Sequence, residues 1–341
     1  MSADMSTSTA STKYSQTMIK GHGDDIYQYE GIVSDFSSNI CATTSHQPVM
    51  RHLASCQQLL SHYPEPEAWS LEAMLAALHD VNENCIIVTN GATDAIYLIA
   101  ETFRYKSVIP APTFSEYEDA CNMFPRTDTE HRMVWLCNPN NPTGMVYSPE
   151  VVERMAEKYD LLVVDQSYED YTDQIVMSAR EGSHISNLIQ IHSFTKTYGI
   201  PGLRLGYITA HAALTTQLRR NLRPWCVSHI AIEAGKYLLQ HDELRCKPDL
   251  AEAQRLREML GRINGIVVEV SKTNFMLCEM KTGTAAELKD CLAQNHHMLI
   301  RDASNFRGLT PRHFRIAAQL PHENDQLVAA IKEYMTKKCN S

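Results

Sequence analysis

Between residues 85 and 210 the chain repeatedly places short, largely apolar runs between turn residues. They are "CIIVT" (85–89), "SVIPA" (107–111), "RMVWLC" (132–137), "LLVVD" (161–165), "LIQIHSF" (188–194) and "LRLGYITA" (203–210). A strand that alternates apolar and polar residues can leave one face in water. A strand that is apolar throughout must be covered on both faces, as in a parallel sheet with helices above and below. The intervening segments offer those helices. "DAIYLIAETF" (94–103) and "SEYEDACNMF" (115–124) repeat apolar residues at three- and four-residue spacing. "SPEVVERMAEKYD" opens with Ser148 as N-cap and Pro149 at the first helical position. The pattern predicts an α/β fold on a mostly parallel sheet.

The grain changes near residue 245. A charged helical stretch, "DLAEAQRLREMLGRI", leads into "GIVVEV", "NFMLCEM", a helix at 285–294, "MLIRD", "HFRIAAQ" and a last helix from about Asn324. This predicts a smaller α+β domain. The expected division is a tail and arm over 1–44 that joins the small domain, a large domain over 45–244 and a small domain over 245–341. With no Gly/Ser linker at 245, a helix is expected to join the two.

Composition narrows the function classes. The 341 residues carry 31 Lys+Arg against 40 Asp+Glu, a net charge of -9, and no basic block. Nucleic acid is therefore not an expected partner. No apolar run approaches the roughly 20 residues needed to span a membrane. The Ser/Thr-rich N-terminus has no apolar segment, so it reads as a flexible tail and not as a secretory signal. The 10 cysteines include no Cys-x-x-Cys pair. Reduced thiols, a cytoplasmic location and no metal are expected. His296 and His297 read as a surface pair near a helix end.

The segment "HSFTKTYGIPGLRLGY" (192–207) holds Lys196 among hydroxyls, glycines and apolar residues. A lysine in a partly desolvated pocket has a lowered pKa and serves as an amine nucleophile. Ser193, Thr195 and Arg204 around it suit a phosphate. An amine for a Schiff base beside a phosphate clamp points to pyridoxal phosphate, although a loop lysine with a structural arginine gives the same spacing. Other segments add weight. Asp165 ends an apolar strand, where a parallel sheet opens its ligand crevice, and an acid there can keep a pyridinium nitrogen protonated. Tyr168 follows three residues later. "CNPNNPTG" (137–144) offers Asn141 in a rigid turn. "TNGATDAIY" (89–97) passes from strand to helix through Gly91, Ala92 and Thr93, an anion site at a helix N-terminus. Phe114 in "APTFSEYEDA" can stack on a flat ring.

In this order the motifs resemble the aspartate-aminotransferase-like, fold type I family of pyridoxal-phosphate enzymes. That resemblance implies the family's transferase fold, with a mostly parallel seven-stranded sheet flanked by helices plus the smaller domain. It implies pyridoxal 5'-phosphate as cofactor and Lys196 as the lysine that carries it. Asp165 matches the residue at the ring nitrogen, Asn141 and Tyr168 the donors to the ring hydroxyl, and Phe114 the stacking aromatic. Gly91, Ala92, Thr93, Ser193, Thr195 and Arg204 match the phosphate cup. "HYPEPE" matches the segment in which Tyr63 reaches the neighbouring subunit's phosphate, which implies a homodimer.

Two outer regions are similar to the branch that holds L-threonine-O-3-phosphate decarboxylases and histidinol-phosphate aminotransferases. They are "GHGDDIY" with "DFSSNI", and "LIRDASNFRGL" with "FRIAAQ". By position, His22, Asn39, Arg301 and Arg315 match residues that grip carboxylate and phosphate, so a small anionic amino-acid phosphate is the implied substrate. The implied reaction is decarboxylation of threonine phosphate to aminopropanol phosphate, a cobalamin side-chain precursor. The alternative is transamination of histidinol phosphate or a similar amino-phosphate. The chain departs from the branch where Cys41-Ala42 follows "SSNI", where Gln319 replaces a second arginine, and in its Gly-Ala-Thr turn. These departures leave the cofactor set intact and bear on the substrate.

Overall fold

The computed structural model describes residues 25–41 and 45–339. His22 and the Ser/Thr-rich N-terminus lie outside them. The strands are β1 Ser34–Asp35, β2 Ile86–Thr89, β3 Lys106–Val108, β4 Arg132–Cys137, β5 Leu161–Asp165, β6 Leu188–Ser193 and β7 Gly206–Ala210. They continue with β8 Ile266–Val268, β9 Phe275–Met280, β10 Met298–Leu299, β11 Arg301–Asp302 and β12 His313–Ala317.

The large sheet has the order β2–β7–β6–β5–β4–β3. Strands β3 to β6 run parallel, and β7 is antiparallel to both of its neighbours. The apolar runs supply both faces, as their lack of alternation requires. Met133, Trp135 and Val163 pack on one side with Ile96 and Ile99 of the Ala92–Phe103 helix. Val134, Leu136, Leu162 and Val164 pack on the other with Val152 of the Pro149–Ala156 helix, which Ser148 precedes as N-cap. Each such covered side chain contributes about 1.5–3 kcal/mol.

Two expectations need correction. The sheet has six strands among the described residues, not seven. Its β3 edge is not extended: the segment after the Glu116–Met123 helix carries Pro125, and the Thr127 and Asp128 N–H groups there both turn back to the Arg104 carbonyl. The join near 245 is irregular instead of helical. A 3-10 turn, Asp242–Leu244, is followed by extended chain up to the helix Leu250–Gly261. Pro248 biases Lys247 away from helix. Arg245 pairs with Asp170 at 2.9 Å, and the Cys246 N–H bonds the Thr197 carbonyl at 2.7 Å.

The second sheet, β11–β12–β9–β8, is antiparallel and packs against the helices Leu250–Gly261, Ala285–His296 and Pro321–Cys339. β1 pairs in parallel with β10, which threads the arm into this core. Phe36 is fully buried there, and its carbonyl accepts from the Ala317 N–H at 2.9 Å.

One buried charge fixes the start of the large sheet. Glu72, on the helix Trp69–His79, is 3% exposed. Its carboxylate accepts from the Val88 N–H at 3.0 Å and from Arg219 at 2.8 Å, and Arg219 also donates to the Ile86 carbonyl at 2.7 Å. Burial raises the Glu72 carboxyl above its ordinary value, and Arg219 pulls it back. Arg219→Ala leaves this carboxylate buried without its cation, and is expected to cost about 3 kcal/mol in urea unfolding at pH 7. The cost should shrink as pH falls below the ordinary carboxylate range, because Glu72 is then protonated in both folded and unfolded chains. An unchanged midpoint at pH 7 would contradict this account.

Candidate active site

The carboxyl ends of β4, β5 and β6 open into a cavity of about 250 Å³. Asp165 ends β5 and is 4% exposed. Its Oδ2 accepts from the Tyr117 hydroxyl at 2.8 Å and its Oδ1 from the Ser167 N–H at 2.9 Å. Tyr117 is itself fully buried and stacks on Trp135, centroids 5.3 Å apart. Burial, and then the adjacent Asp165, push the Tyr117 phenol well above its ordinary value, so it stays a donor. Sequence reading missed Tyr117. The available signal was its place three residues after Phe114 at the start of the same helix, whose packing stands it edge-on to Phe114 at 5.8 Å.

Lys196 lies in the short helix Phe194–Thr197 directly after β6. It is half-buried rather than buried. Its Nζ donates to the Ser38 carbonyl at 2.8 Å and stands 5.4 Å from the centre of the Tyr168 ring. The arm thus supplies the carbonyl that holds the amine.

The phosphate-type residues converge. Gly91 precedes the Ala92–Phe103 helix with φ 90°, and Ala92 and Thr93 of the first turn line the cavity with Ser193, Thr195 and Arg204. A Cβ on Gly91 would stand 2.7 Å from Arg204 Nη2, so only glycine lets the guanidinium lie over the helix start. Arg204 is in the left-handed region, φ 54°, which delays β7 until Gly206.

Arg301 and Arg315 face each other across the β11–β12 pair, and both reach the cavity. Arg315 is 5% exposed. Its Nη1 donates to Asn141 Oδ1 at 2.5 Å, which leaves the Asn141 amide NH₂ as a donor, and its Nη2 donates to the Ser37 carbonyl. Burial pushes the Arg315 guanidinium down to about 10, and Arg301 adds to the shift, yet it remains cationic at neutral pH. Its Nε has no hydrogen-bond partner among the described residues, and neither has Asn39 Oδ1. Arg301 donates to Asn305 at 3.0 Å, and burial lowers it too. Tyr168 accepts from Asn39 Nδ2 at 3.4 Å. Burial pushes its phenol up to about 12.

Thus Ala92, Thr93, Phe114, Asn141, Asp165, Tyr168, Ser193, Thr195, Lys196, Arg204, Arg301 and Arg315 line one cavity. Gly91 and Asn39 are not in the lining but touch it: Gly91 lies against Arg204, and Asn39 donates to Tyr168. Tyr63 does not line it: its ring is 82% exposed and packs on Trp225 at 5.4 Å. His22 lies outside the described residues. Ser37, Ser38 and Phe306 join the lining without a sequence signal of their own.

Four cations, Lys196, Arg204, Arg301 and Arg315, face the cavity against the one carboxylate of Asp165. A helix N-terminus, three hydroxyls and a guanidinium suit a phosphate ester. The acid, the amine and an aromatic wall suit the ring and aldehyde ends of pyridoxal phosphate.

Known proteins agree with this chemistry. The aminotransferase class I and II family matches residues 123–331. A putative threonine-phosphate decarboxylase of Caldanaerobacter subterraneus is 30% identical, over 91% of this chain and 93% of that protein. The crystal structure of L-threonine-O-3-phosphate decarboxylase from Porphyromonas gingivalis superposes with a TM-score of 0.84 at 37% identity, over 89% of this chain and 100% of that one. Histidinol-phosphate aminotransferase from Sinorhizobium meliloti, solved in complex with pyridoxal-5'-phosphate, shares the fold with a TM-score of 0.73 at 19% identity, over 90% of this chain and 92% of that one. The chain belongs to the aminotransferase class I and II family and is a pyridoxal-phosphate-dependent enzyme.

Proposed function

We propose that the enzyme decarboxylates L-threonine O-3-phosphate, giving aminopropanol phosphate and CO₂. The observation that carries this reading is the buried Arg301–Arg315 pair across β11 and β12, in the same cavity as Lys196. Two guanidiniums at one end of a cavity suit a substrate with two anionic groups. The names of the relatives from Caldanaerobacter subterraneus and Porphyromonas gingivalis support the same substrate.

Lys196 would carry the cofactor, and Asp165 would hold the proton on its ring nitrogen. Asn141 and Tyr168 would donate to the ring oxygen, and Phe114 would pack on the ring. Gly91, Ala92, Thr93, Ser193, Thr195 and Arg204 would enclose the phosphate. Arg315 and Asn39 take the substrate carboxylate, and Arg301 and His22 take its phosphate. The direction in which Arg315 and Asn39 hold the carboxylate decides which bond to the α-carbon breaks. The carbon–carbon bond breaks, CO₂ leaves, and its electron pair stays with the α-carbon. Bound pyridoxal phosphate supplies the sink for that pair. Tyr117 and Ser167 fix the Asp165 carboxylate that sustains the sink. Lys196, freed when the substrate's amine takes its place on the cofactor and left with the proton that amine brought, would return that proton to the α-carbon. The product fits a role in making the cobalamin side chain, in a cytoplasmic setting.

The proposed active form is a homodimer. Tyr63 and Trp225 pack together yet leave apolar rings in water, a surface suited to a second copy. Tyr63 of the partner subunit then reaches the cofactor phosphate. Sedimentation should give a dimer, and Tyr63→Phe should weaken cofactor binding without breaking it apart. A monomer that holds the cofactor at full affinity would refute this.

Borohydride reduction of the holoenzyme should fix the cofactor on Lys196, and Lys196→Ala should abolish the trapped species by mass spectrometry. A trapped cofactor on another lysine overturns the assignment.

Arg301→Ala and Arg315→Ala should each lower kcat/KM for threonine phosphate about 10- to 150-fold, from loss of a charge-assisted contact of about 1.5–3 kcal/mol. With plain threonine the Arg301→Ala loss should nearly vanish, because no phosphate remains to be held. Product identity decides the reading. Conversion of histidinol phosphate with a 2-oxo acid, with no CO₂ from threonine phosphate, would establish the aminotransferase instead.

A further inference from the structure

Among the described residues, three metal donors of mixed type meet outside the active site. His52 lies in the helix Gln47–Ser55, and Cys56 ends it four residues later, on the same side of the turn. Glu233 comes from the helix His229–Leu239, which packs alongside through Val49, Ala231 and Ile232. His52 Nε2 stands 3.3 Å from Glu233 Oε1 and 3.8 Å from Cys56 Sγ. All three donor atoms lie within 4.8 Å of one another, and each residue is half-buried.

We propose that His52, Cys56 and Glu233 form a zinc site that clamps these two helices together. In a tetrahedral zinc site the metal–ligand lengths are about 2.0–2.1 Å to nitrogen, 2.0–2.2 Å to oxygen and 2.3 Å to sulfur. Donor atoms on that sphere are therefore about 3.3–3.6 Å apart. Two of the three edges are already within a few tenths of an ångström of this. The third, from Sγ to the carboxylate, closes by rotation about the Glu233 side-chain bonds. Half-exposure leaves a fourth position for water. The donor set, one imidazole, one thiolate and one carboxylate, selects a borderline metal over magnesium or calcium, which prefer all-oxygen ligands.

The surroundings are suited to it. The His52 ring is stacked on Tyr237, centroids 4.3 Å apart at 19°, which orients Nε2 toward the other donors. Lys236 Nζ bonds Glu233 Oε2 at 3.1 Å and turns Oε1 to the metal. Such supporting contacts set ligand orientation. Binding releases the Cys56 thiol proton to solvent, and the thiolate and carboxylate then balance the charge of the ion. The clamp holds the start of the segment 57–63 that leads to Tyr63.

The test uses reduced, cofactor-saturated holoenzyme equilibrated with zinc and then dialysed. Metal analysis should give one zinc per chain. Replacement by Co²⁺ should give a thiolate-to-metal absorption band. Cys56→Ser should lose the band and the bound zinc. Glu233→Gln, close to isosteric, should lower zinc affinity more than about tenfold while its circular dichroism and cofactor absorption stay those of the parent. Zinc should raise the thermal midpoint of the parent and not that of Cys56→Ser. A parent that retains no zinc, or zinc retained equally by both variants, overturns the site.

Discussion

The Arg315 guanidinium joins three parts of the chain that are distant in sequence. It stands on β12 of the second sheet, donates to Asn141 in the turn after β4, and donates to the Ser37 carbonyl in the arm after β1. A guanidinium this deeply buried costs several kcal/mol in lost hydration unless its N–H groups are met. Two of its nitrogens are met by segments that must therefore come together. Where they meet, Ser38 presents its carbonyl to Lys196, so one buried cation positions the carbonyl that holds the half-buried Lys196 amine. The shape of the cavity depends on this junction more than on either sheet alone.

The cavity also concentrates charge against the overall sign of the chain. The protein is net negative, yet its cavity gathers four cations around one carboxylate. Low-dielectric walls strengthen that local field and draw in anions of matching size. Asp165 keeps its place among those cations through Tyr117 and Ser167, two donors that bring no positive charge of their own. A carboxylate held by neutral donors stays available to a cationic ring nitrogen. One paired with an arginine would already have its cation.

The large sheet was legible because its signal is local. An unbroken apolar run states, by itself, that both faces are covered, and "RMVWLC" and "LLVVD" became β4 and β5 with the bounds expected. The cavity lining was legible where a motif places a side chain at a strand end, as at Asp165, Asn141 and Lys196. It was not legible where a backbone carbonyl does the work. Ser37 and Ser38 act through main-chain oxygens, and every residue has one. Tyr117 was hidden because a tyrosine in an amphipathic helix reads first as core, which it also is. Tyr63 is on a solvent-facing surface against Trp225, away from the cavity, and no motif within this chain gives that placement. The helix expected at 245 failed for a reason visible in the sequence, Pro248, whose restriction on Lys247 outweighed the helical pattern that begins just after it.

Two buried polar atoms, one donor and one acceptor, are left unmet near the proposed substrate residues. Arg315 Nε and Asn39 Oδ1 are buried, and neither has a partner among the described residues. A buried donor left unpaired costs about 1–3 kcal/mol. An anion that accepts from Nε recovers that cost, so a carboxylate gains more at Arg315 than a solvated arginine could offer. Asn39 sits at φ 50°, a left-handed conformation that asparagine tolerates better than most residues. Its amide nitrogen donates to the Tyr168 hydroxyl over a long 3.4 Å. That nitrogen can therefore turn toward a carboxylate on Arg315 at small cost. Because the Tyr168 hydroxyl accepts that bond, its own proton stays available as a donor whichever way the Asn39 amide turns.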